Sequence, residues 1–268
     1  MTTRACPSCG VINEGRPVGA SGQYILCRCA SCDLVFSDPM AGADPQTYRA
    51  AEAHIDYWTH ECALSWHHRR FLSAPAVYGR RLLDVGCGAG EFICAAAEKG
   101  YEVWGVDFVA EKVEVARKRR GLENVFAMSV DSLGERFPHR GFDVVTCFEV
   151  LEHLEDPAGF IMSLRGLLNP GAYLALSVPN RDRTLARFDR QDGPPHHLTR
   201  WSFKSLASLL ERNGAVVVAH ETKKPDPGGW LTAKTGSSRL GAVASLFKPL
   251  FKLLPFTGRG LYVMARFK

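Results

Sequence analysis

Leu83-Asp84-Val85-Gly86-Cys87-Gly88-Ala89-Gly90-Glu91 is the stretch that decides the fold. With Arg81 and Leu82 before it, a short apolar run ends abruptly in glycines at 86, 88 and 90. A helix-compatible run follows, Glu91 to Lys99, closed by Gly100. Glycines let a chain turn sharply and let a ligand approach the backbone where any Cβ would intrude. Glu102-Val103-Trp104-Gly105-Val106-Asp107 is the next apolar run, and its acid stands twenty-one residues beyond Gly86. A carboxylate at the end of a second strand can accept hydrogen bonds from both hydroxyls of a ribose. A glycine loop alone is common; the order strand, loop, helix, strand, acid is specific.

The alternation continues outward. Val109 to Arg120 reads as a helix, Asn124 to Ser129 as a strand, and Phe142 to Phe148 as another. Asp156-Pro157 opens a helix that runs to about Leu168, with Asp as N-cap and Pro in the first turn. Ala172 to Val178, a helix from Ser202 to Asn213, Val216 to Glu221 and Leu261 to Phe267 complete the series. Strands alternating with helices imply an α/β fold with a doubly wound, seven-stranded, mostly parallel sheet. Such sheets bind ligands beyond the carboxyl ends of their strands.

The glycine loop distinguishes two ligands. A dinucleotide loop has the spacing G-x-G-x-x-G and sets a helix N-terminus against a pyrophosphate. Here the spacing is G-x-G-x-G followed by an acid. Asp84 and Glu91 would repel a pyrophosphate but suit a ligand carrying an ammonium and a sulfonium. S-adenosylmethionine is therefore the expected cofactor, with Gly86, Cys87, Gly88 and Gly90 forming its cradle. Asp107 would hold the ribose, Asp131 and Ser132 the adenine nitrogens, and Phe108 the adenine face.

Length and composition agree with this. The 268 residues fit one large domain plus a small appendage, and 46% apolar with 23% charged residues describes an ordinary folded protein. No apolar run reaches the ~18 residues that cross a bilayer, and the first residues lack the apolar core of an export signal. The expected location is the cytoplasm, where thiols stay reduced.

Five of the nine cysteines lie in the first 32 residues. Cys6-Pro7-Ser8-Cys9 and Cys29-Ala30-Ser31-Cys32 are two C-x2-C knuckles separated by nineteen residues. That spacing reads as a four-cysteine zinc site, whose ion supplies folding energy to a segment too small for its own core. Residues 1–40 are thus expected to be a structural zinc ribbon, with residues 10–28 as loop and hairpin. Cys27 competes with Cys29 for the third ligand position; Cys29 restores the knuckle spacing.

Residues 41–78 read as a helical linker, with a helix-compatible stretch from Thr47 to Ser73 that either packs on the main domain or closes over the pocket as a lid. Its histidines, His54, His60, His67 and His68, read as surface residues. The main domain spans 79–268, interrupted by an insertion at about 223–258. From Lys223 onward there are nine basic residues and one acid, so the net charge of +5 is concentrated in the tail and the rest of the chain is slightly acidic. This is not the charge pattern of a nucleic-acid-binding body. Leu240, Val243, Leu246, Phe247, Leu250, Phe251 and Leu254 recur at near-helical spacing within 238–256. That segment would pack over the substrate pocket or lie on a membrane surface as a peripheral contact.

Leu83 to Gly90, Gly105-Val106-Asp107 and Phe142-Asp143-Val144-Val145-Thr146-Cys147-Phe148-Glu149-Val150-Leu151-Glu152-His153-Leu154 resemble the first, second and fourth strand motifs of the class I S-adenosylmethionine-dependent methyltransferases. With the ribbon in front and Pro194 to Ser202 behind, the chain resembles the zinc-ribbon-bearing subgroup, the type 11/23-like methyltransferases. The resemblance implies a Rossmann-like methyltransferase fold and the cofactor. It carries the substrate hardly at all; the expected acceptor is a small molecule modified at oxygen, such as a sugar, phenol or quinone-like metabolite. An RNA 2′-O-methyltransferase and a non-catalytic cofactor-binding module are the alternatives.

Methyl transfer is an in-line displacement, so the enzyme supplies alignment and takes the acceptor's proton. The catalytic candidates are Glu149, His196 and His197. Positions 149, 152 and 153 fall on one helical turn, a set that suits Mg²⁺ holding an acceptor oxygen. The segment is similar to ubiquinone-pathway O-methyltransferases and small-RNA 2′-O-methyltransferases. That resemblance adds His197 to Glu149, Glu152 and His153 as a fourth ligand and leaves His196 to accept a proton. The competing expectation is that Glu149 contacts the cofactor, His153 caps a loop and the histidine pair shapes the pocket.

Overall fold

A computed structural model describes residues 4–13, 16–42, 64–74, 79–138, 141–183, 193–223 and 258–268, together with Arg239 and Val243. The amino-terminal elements are β1 (Arg4–Ala5), β2 (Ile12–Asn13), β3 (Arg16–Ser21), β4 (Tyr24–Arg28) and β5 (Val35–Asp38), followed by α1 (Trp66–Leu72). Next come β6 (Arg81–Val85), α2 (Glu91–Glu98), β7 (Glu102–Asp107), α3 (Ala110–Arg120), β8 (Val125–Ala127) and α4 (Val130–Arg136). After β9 (Phe142–Phe148) there is a single 3-10 turn at Leu151–His153, then α5 (Pro157–Gly166) and β10 (Leu168–Pro179). The last elements are β11 (Thr199–Arg200), α6 (Phe203–Arg212), β12 (Ala215–Thr222) and β13 (Gly260–Phe267).

The seven-stranded sheet has the order β12-β13-β10-β9-β6-β7-β8. Strands β6 to β10 pair in parallel, and β13 runs antiparallel to both β10 and β12. The sheet is therefore mostly parallel, as its alternation predicts. Side chains alternate between two buried faces, which is why the strands read as unbroken apolar runs. Leu82, Val144, Ala175, Tyr262 and Met264 pack with Phe71 of α1, with Phe92, Ile93 and Ala96 of α2, and with Val113 and Ala116 of α3. Their strand neighbours Leu83, Val145, Leu174, Leu176 and Val263 pack with Leu133 of α4, Ile161 and Leu164 of α5, and Leu206, Leu209 and Leu210 of α6.

Local chemistry sets the helix ends. The Asp156 side chain accepts the Gly159 amide at the start of α5, and Ser202 and Ser205 cap each other at the start of α6. Helix α4 was not foreseen; Ser129 caps it through the Ser132 amide.

The amino-terminal module is joined to the main domain more closely than a separate ribbon. Its four-stranded sheet has the order β11-β5-β4-β3, so one of its strands comes from far along the chain. Thr199 and Arg200 pair with Phe36 and Val35, and Ser37 gives both its amide and its hydroxyl to the Leu198 carbonyl. Cys6, Cys29, Cys32, Leu34 and Phe36 share one core with Leu151, Val178 and the fully buried Trp201. Of the expected helix from Thr47, residues 66–72 are helical and 47–63 lie outside the described residues. Almost all of the 223–258 insertion, including the amphipathic 238–256 segment, also lies outside them. Among the described residues, no helix is long and apolar enough to cross a membrane.

Candidate active site

The chain reverses its winding direction between β6 and β9, because β6 leads through α2 to β7 while α4 returns the chain to β9 on the other side. A crevice opens at such a reversal. Thr146 of β9 bridges it, bonding the Asp84 carboxylate at 2.6 Å. Asp84 is 4% exposed. Burial raises its pKa to about 7; the Thr146 hydrogen bond opposes this and the Asp107 charge adds to it.

Gly86 and Gly88 have φ of +81° and +54°, in the region that favours glycine. A Cβ on Gly86 would lie 2.6 Å from Val150, whereas one on Gly88 would meet nothing within 4 Å. The loop therefore presents an open cradle at Gly88. Asp107 lies beside it, 8% exposed, with one oxygen accepting the Gly88 amide and the other the Val109 amide, each at 2.9 Å. Phe108, the next residue, is half exposed. An acid, an open backbone and an exposed ring suit the ribose and adenine of S-adenosylmethionine. Arg120 is bonded to Glu91 at 3.0 Å and to the Ala89 carbonyl at 2.8 Å, so it braces the loop.

Two parts of the loop differ from the sequence expectation. The Glu91 carboxylate is occupied by Arg120 instead of turning to a ligand. The Cys87 side chain is buried in the α2 face of the core, so only its backbone lies on the loop surface. Asp131 and Ser132 are exposed in the first turn of α4, where Ser132 gives its amide to Ser129.

On the other side of the crevice stands Glu149, with φ of +56°, unusual for a residue with a side chain. Ser177 bonds its Oε1 at 2.8 Å, and His67 Nδ1 faces the same oxygen at 4.0 Å. His67 is 6% exposed, contrary to its reading as a surface residue. It stacks on Phe148, and burial with nearby cationic groups lowers its pKa to about 3. His68 packs against Phe92 and Phe148, and burial lowers its pKa to about 4. A helical repeat alone could not reveal that α1 turns these rings inward.

The proposed Glu149, Glu152, His153 and His197 quartet is only partly assembled. Glu149 turns to Ser177, while Glu152 is 1% exposed with Oε1 at 3.8 Å from His153 Nε2. His153 instead gathers with His196 and His197, their ring centroids 4.6 to 4.8 Å apart. Burial, and then the neighbouring histidines, lower the His153 pKa to about 4. Three imidazoles alone would not suit a hard, oxygen-seeking ion such as Mg²⁺, but the buried Glu152 carboxylate stands beside them.

The four knuckle thiols fit a different ion. Cys6, Cys9, Cys29 and Cys32 bring their sulfurs within 4.8 Å of one another, with Cys6–Cys32 at 3.6 Å and Cys9–Cys29 at 3.7 Å. Tetrahedral Zn–S bonds of about 2.3 Å place sulfurs about 3.8 Å apart, far beyond a disulfide bond. Cys29 stands at the third corner, and Cys27 is outside the group. Hydrogen bonding between Cys6 and Cys32 pushes the first thiol up and the second down to about 5. Asp33, beside this knuckle, receives Arg28 and Arg181. Burial pushes its carboxyl up, but these two guanidinium groups hold it below its ordinary value.

A family model described as a methyltransferase domain matches residues 55–220. The ubiquinone biosynthesis O-methyltransferase of Vibrio cholerae is 40% identical over 113 residues, covering 41% of this chain and 46% of the relative. The chain thus spans about half the length of the curated relatives it matches. Among solved structures, an S-adenosylmethionine-dependent methyltransferase from Archaeoglobus fulgidus aligns with a TM-score of 0.54 and 22% identity, over 74% of this chain and 90% of that one. The [4+2]-cyclase SpnF aligns at 0.59 and 18%, over 85% and 98%. At these identities the structural likeness establishes the fold; a cyclase and a methyltransferase share it.

Proposed function

This chain belongs to the methyltransferase-domain family, and on that basis we propose that it transfers a methyl group from S-adenosylmethionine to an oxygen of a small phenolic or quinone-like acceptor. The observation that carries the cofactor reading is the open cradle at Gly88 beside the enclosed acid Asp107. The name of the Vibrio relative supports oxygen as the attacking atom.

S-adenosylmethionine supplies, when bound, a methyl group on a cationic sulfur. The residues of the chain do the rest. Asp107 takes the ribose hydroxyls, and Phe108 lies against the adenine, with Asp131 and Ser132 at its edge. The backbone from Gly86 to Gly90 lets the ligand approach, while Asp84 favours the cationic end. Across the crevice, Glu149 is held by Ser177 near the point of transfer. His196 and His197 form the acceptor end: they orient the acceptor oxygen, and His196 takes its proton as the methyl group moves from sulfur to oxygen and adenosylhomocysteine leaves. Cys6, Cys9, Cys29 and Cys32 hold a structural Zn²⁺.

Incubation with methyl-labelled S-adenosylmethionine and a panel of catechols, phenols and hydroquinones tests the reading. The expected product is a methyl ether, with adenosylhomocysteine formed in equal amount. Label recovered solely on nitrogen or carbon would contradict oxygen transfer. Replacing both His196 and His197 with Ala should lower turnover at saturating cofactor by at least tenfold; unchanged turnover would remove them from the acceptor end.

A further inference from the structure

The two cysteine knuckles fold alike and differ at the residue after the second cysteine. In the first, Cys6 gives its amide to the Val11 carbonyl and Gly10 gives its amide to the Cys6 carbonyl. In the second, Cys29 and Asp33 make the same two bonds, to Leu34 and to Cys29. Gly10 has φ of +69° and Asp33 has φ of +72°, so the turn requires left-handed backbone at this position. Glycine adopts it freely, whereas a side chain there is strained, least so for Asn and Asp. A Cβ on Gly10 would meet nothing within 4 Å, so the strain comes from the backbone and not from crowding. An aspartate held where glycine forms the same turn points to a task for its side chain.

The Asp33 side chain reaches out of the knuckle to the main domain. One of its oxygens receives Arg28 at 2.6 Å; the other receives Arg181 and lies 3.3 Å from the Ser202 hydroxyl. Arg181 also donates to the Asp33 carbonyl, so one guanidinium grasps both backbone and carboxylate. The Asp33 and Arg181 side chains are only 16% and 15% exposed. Two-point geometry and cover from water separate this pair from the surface ion pairs that contribute little. Arg181 follows β10 and Ser202 caps α6. The Arg181 amide bonds the Trp201 carbonyl and Asn180 bridges to Trp201, so residues 181 and 202 form the neck of the loop that carries His196 and His197.

We propose that Asp33 is a positioning residue for this acceptor loop: it clamps both sides of the neck from the cysteine module and so sets where His196 and His197 stand. The proposal rests on the reading of those histidines as the acceptor end. Asp33 acts through Arg181 and Ser202, not by contact with the reacting atoms. A looser neck spreads the histidines over more positions, so a productive alignment with the acceptor is reached less often. The cofactor cradle, built on β6 and β7, is left as it was.

Asp33→Gly tests this without breaking the turn, since glycine is what the first knuckle uses at the same place. Full-length variant and unsubstituted protein titrated with Co²⁺ should show the same thiolate charge-transfer band. Amide exchange over residues 193–201 should be at least threefold faster in the variant, with adenosylhomocysteine affinity within twofold. The acceptor kcat/KM should fall at least fivefold, while KM for S-adenosylmethionine stays within twofold. Arg181→Gln should reproduce these changes, and the double variant should be no worse than either single one. Asp33→Asn, which tolerates the same φ and keeps one acceptor oxygen, should recover part of the loss. Unchanged exchange over 193–201 in Asp33→Gly would overturn the proposal, as would additive losses in the double variant or an equal loss of adenosylhomocysteine binding. An altered cobalt band would overturn it too, because the effect would then belong to the turn itself. If the unsubstituted protein methylates no oxygen acceptor, the functional reading fails, and the exchange result alone decides whether Asp33 clamps the loop.

Discussion

Asp107 uses both carboxylate oxygens on backbone amides, yet a carboxylate has about four lone-pair positions, so two remain for a ribose. Asp107→Ala removes both the loop bond and the ribose contacts. Each hydrogen bond to a charged group contributes about 1.5–3 kcal/mol, so adenosylhomocysteine affinity should fall by at least tenfold, measured by calorimetry. Asp84 adds a pH dependence. Its carboxyl is raised to about 7, and a cationic ligand prefers the ionised form, so affinity should rise as pH passes upward through about 7. Asp84→Asn should flatten that profile; an unchanged rise in the variant would assign it to another group. Both acids were visible in the sequence because each ends an apolar strand beside a glycine loop. The use of Glu91 by Arg120 was not, because the pair spans twenty-nine residues and depends on how α3 packs. His67 was misread for a similar reason: α1 is short, and its neighbours Phe148 and Tyr262 come from distant strands.

Element boundaries in the main sheet followed closely from apolar runs and caps, since strands buried on both faces allow few other readings. The two-residue strand β11 was illegible. Thr199 and Arg200 carry no periodicity, and their pairing with β5 closes a contact across more than 160 residues. That pairing couples the cysteine module to the histidine loop. Removing zinc with a chelator should therefore speed amide hydrogen exchange over residues 193–201 and leave adenosylhomocysteine affinity within about twofold. Exchange confined to residues 4–42 would contradict the coupling. Trp201 sits at the join, fully buried, with its indole nitrogen bonded to Thr199. Trp201→Ala should cost about 3–5 kcal/mol by denaturant unfolding.

Across the whole molecule, the two faces of one sheet are covered by different elements: α1, α2 and α3 pack on one, while the cysteine module joins α4, α5 and α6 on the other. The sequence placed the module at the amino terminus but could not show that it shares the main core, since a metal knuckle is a local pattern and its docking is not. His67 and His68 give the fold an acid limit. Both have folded pKa values far below the ordinary 6.5, so the unfolded chain binds protons that the folded chain refuses. Their contribution is complete above about pH 6.5 and is lost as pH falls toward 4 and then 3. Unfolding midpoints should drop over that window, and His67→Phe should reduce the slope; an equal slope in the variant would point elsewhere. The central claim is that the crevice beyond β6 accepts a cationic adenosyl thioether derivative and refuses a pyrophosphate coenzyme. Parallel calorimetric titrations with S-adenosylmethionine and NADH test it most directly: saturable binding of the first with no heat from the second is predicted, and tight NADH binding with no uptake of S-adenosylmethionine would contradict it.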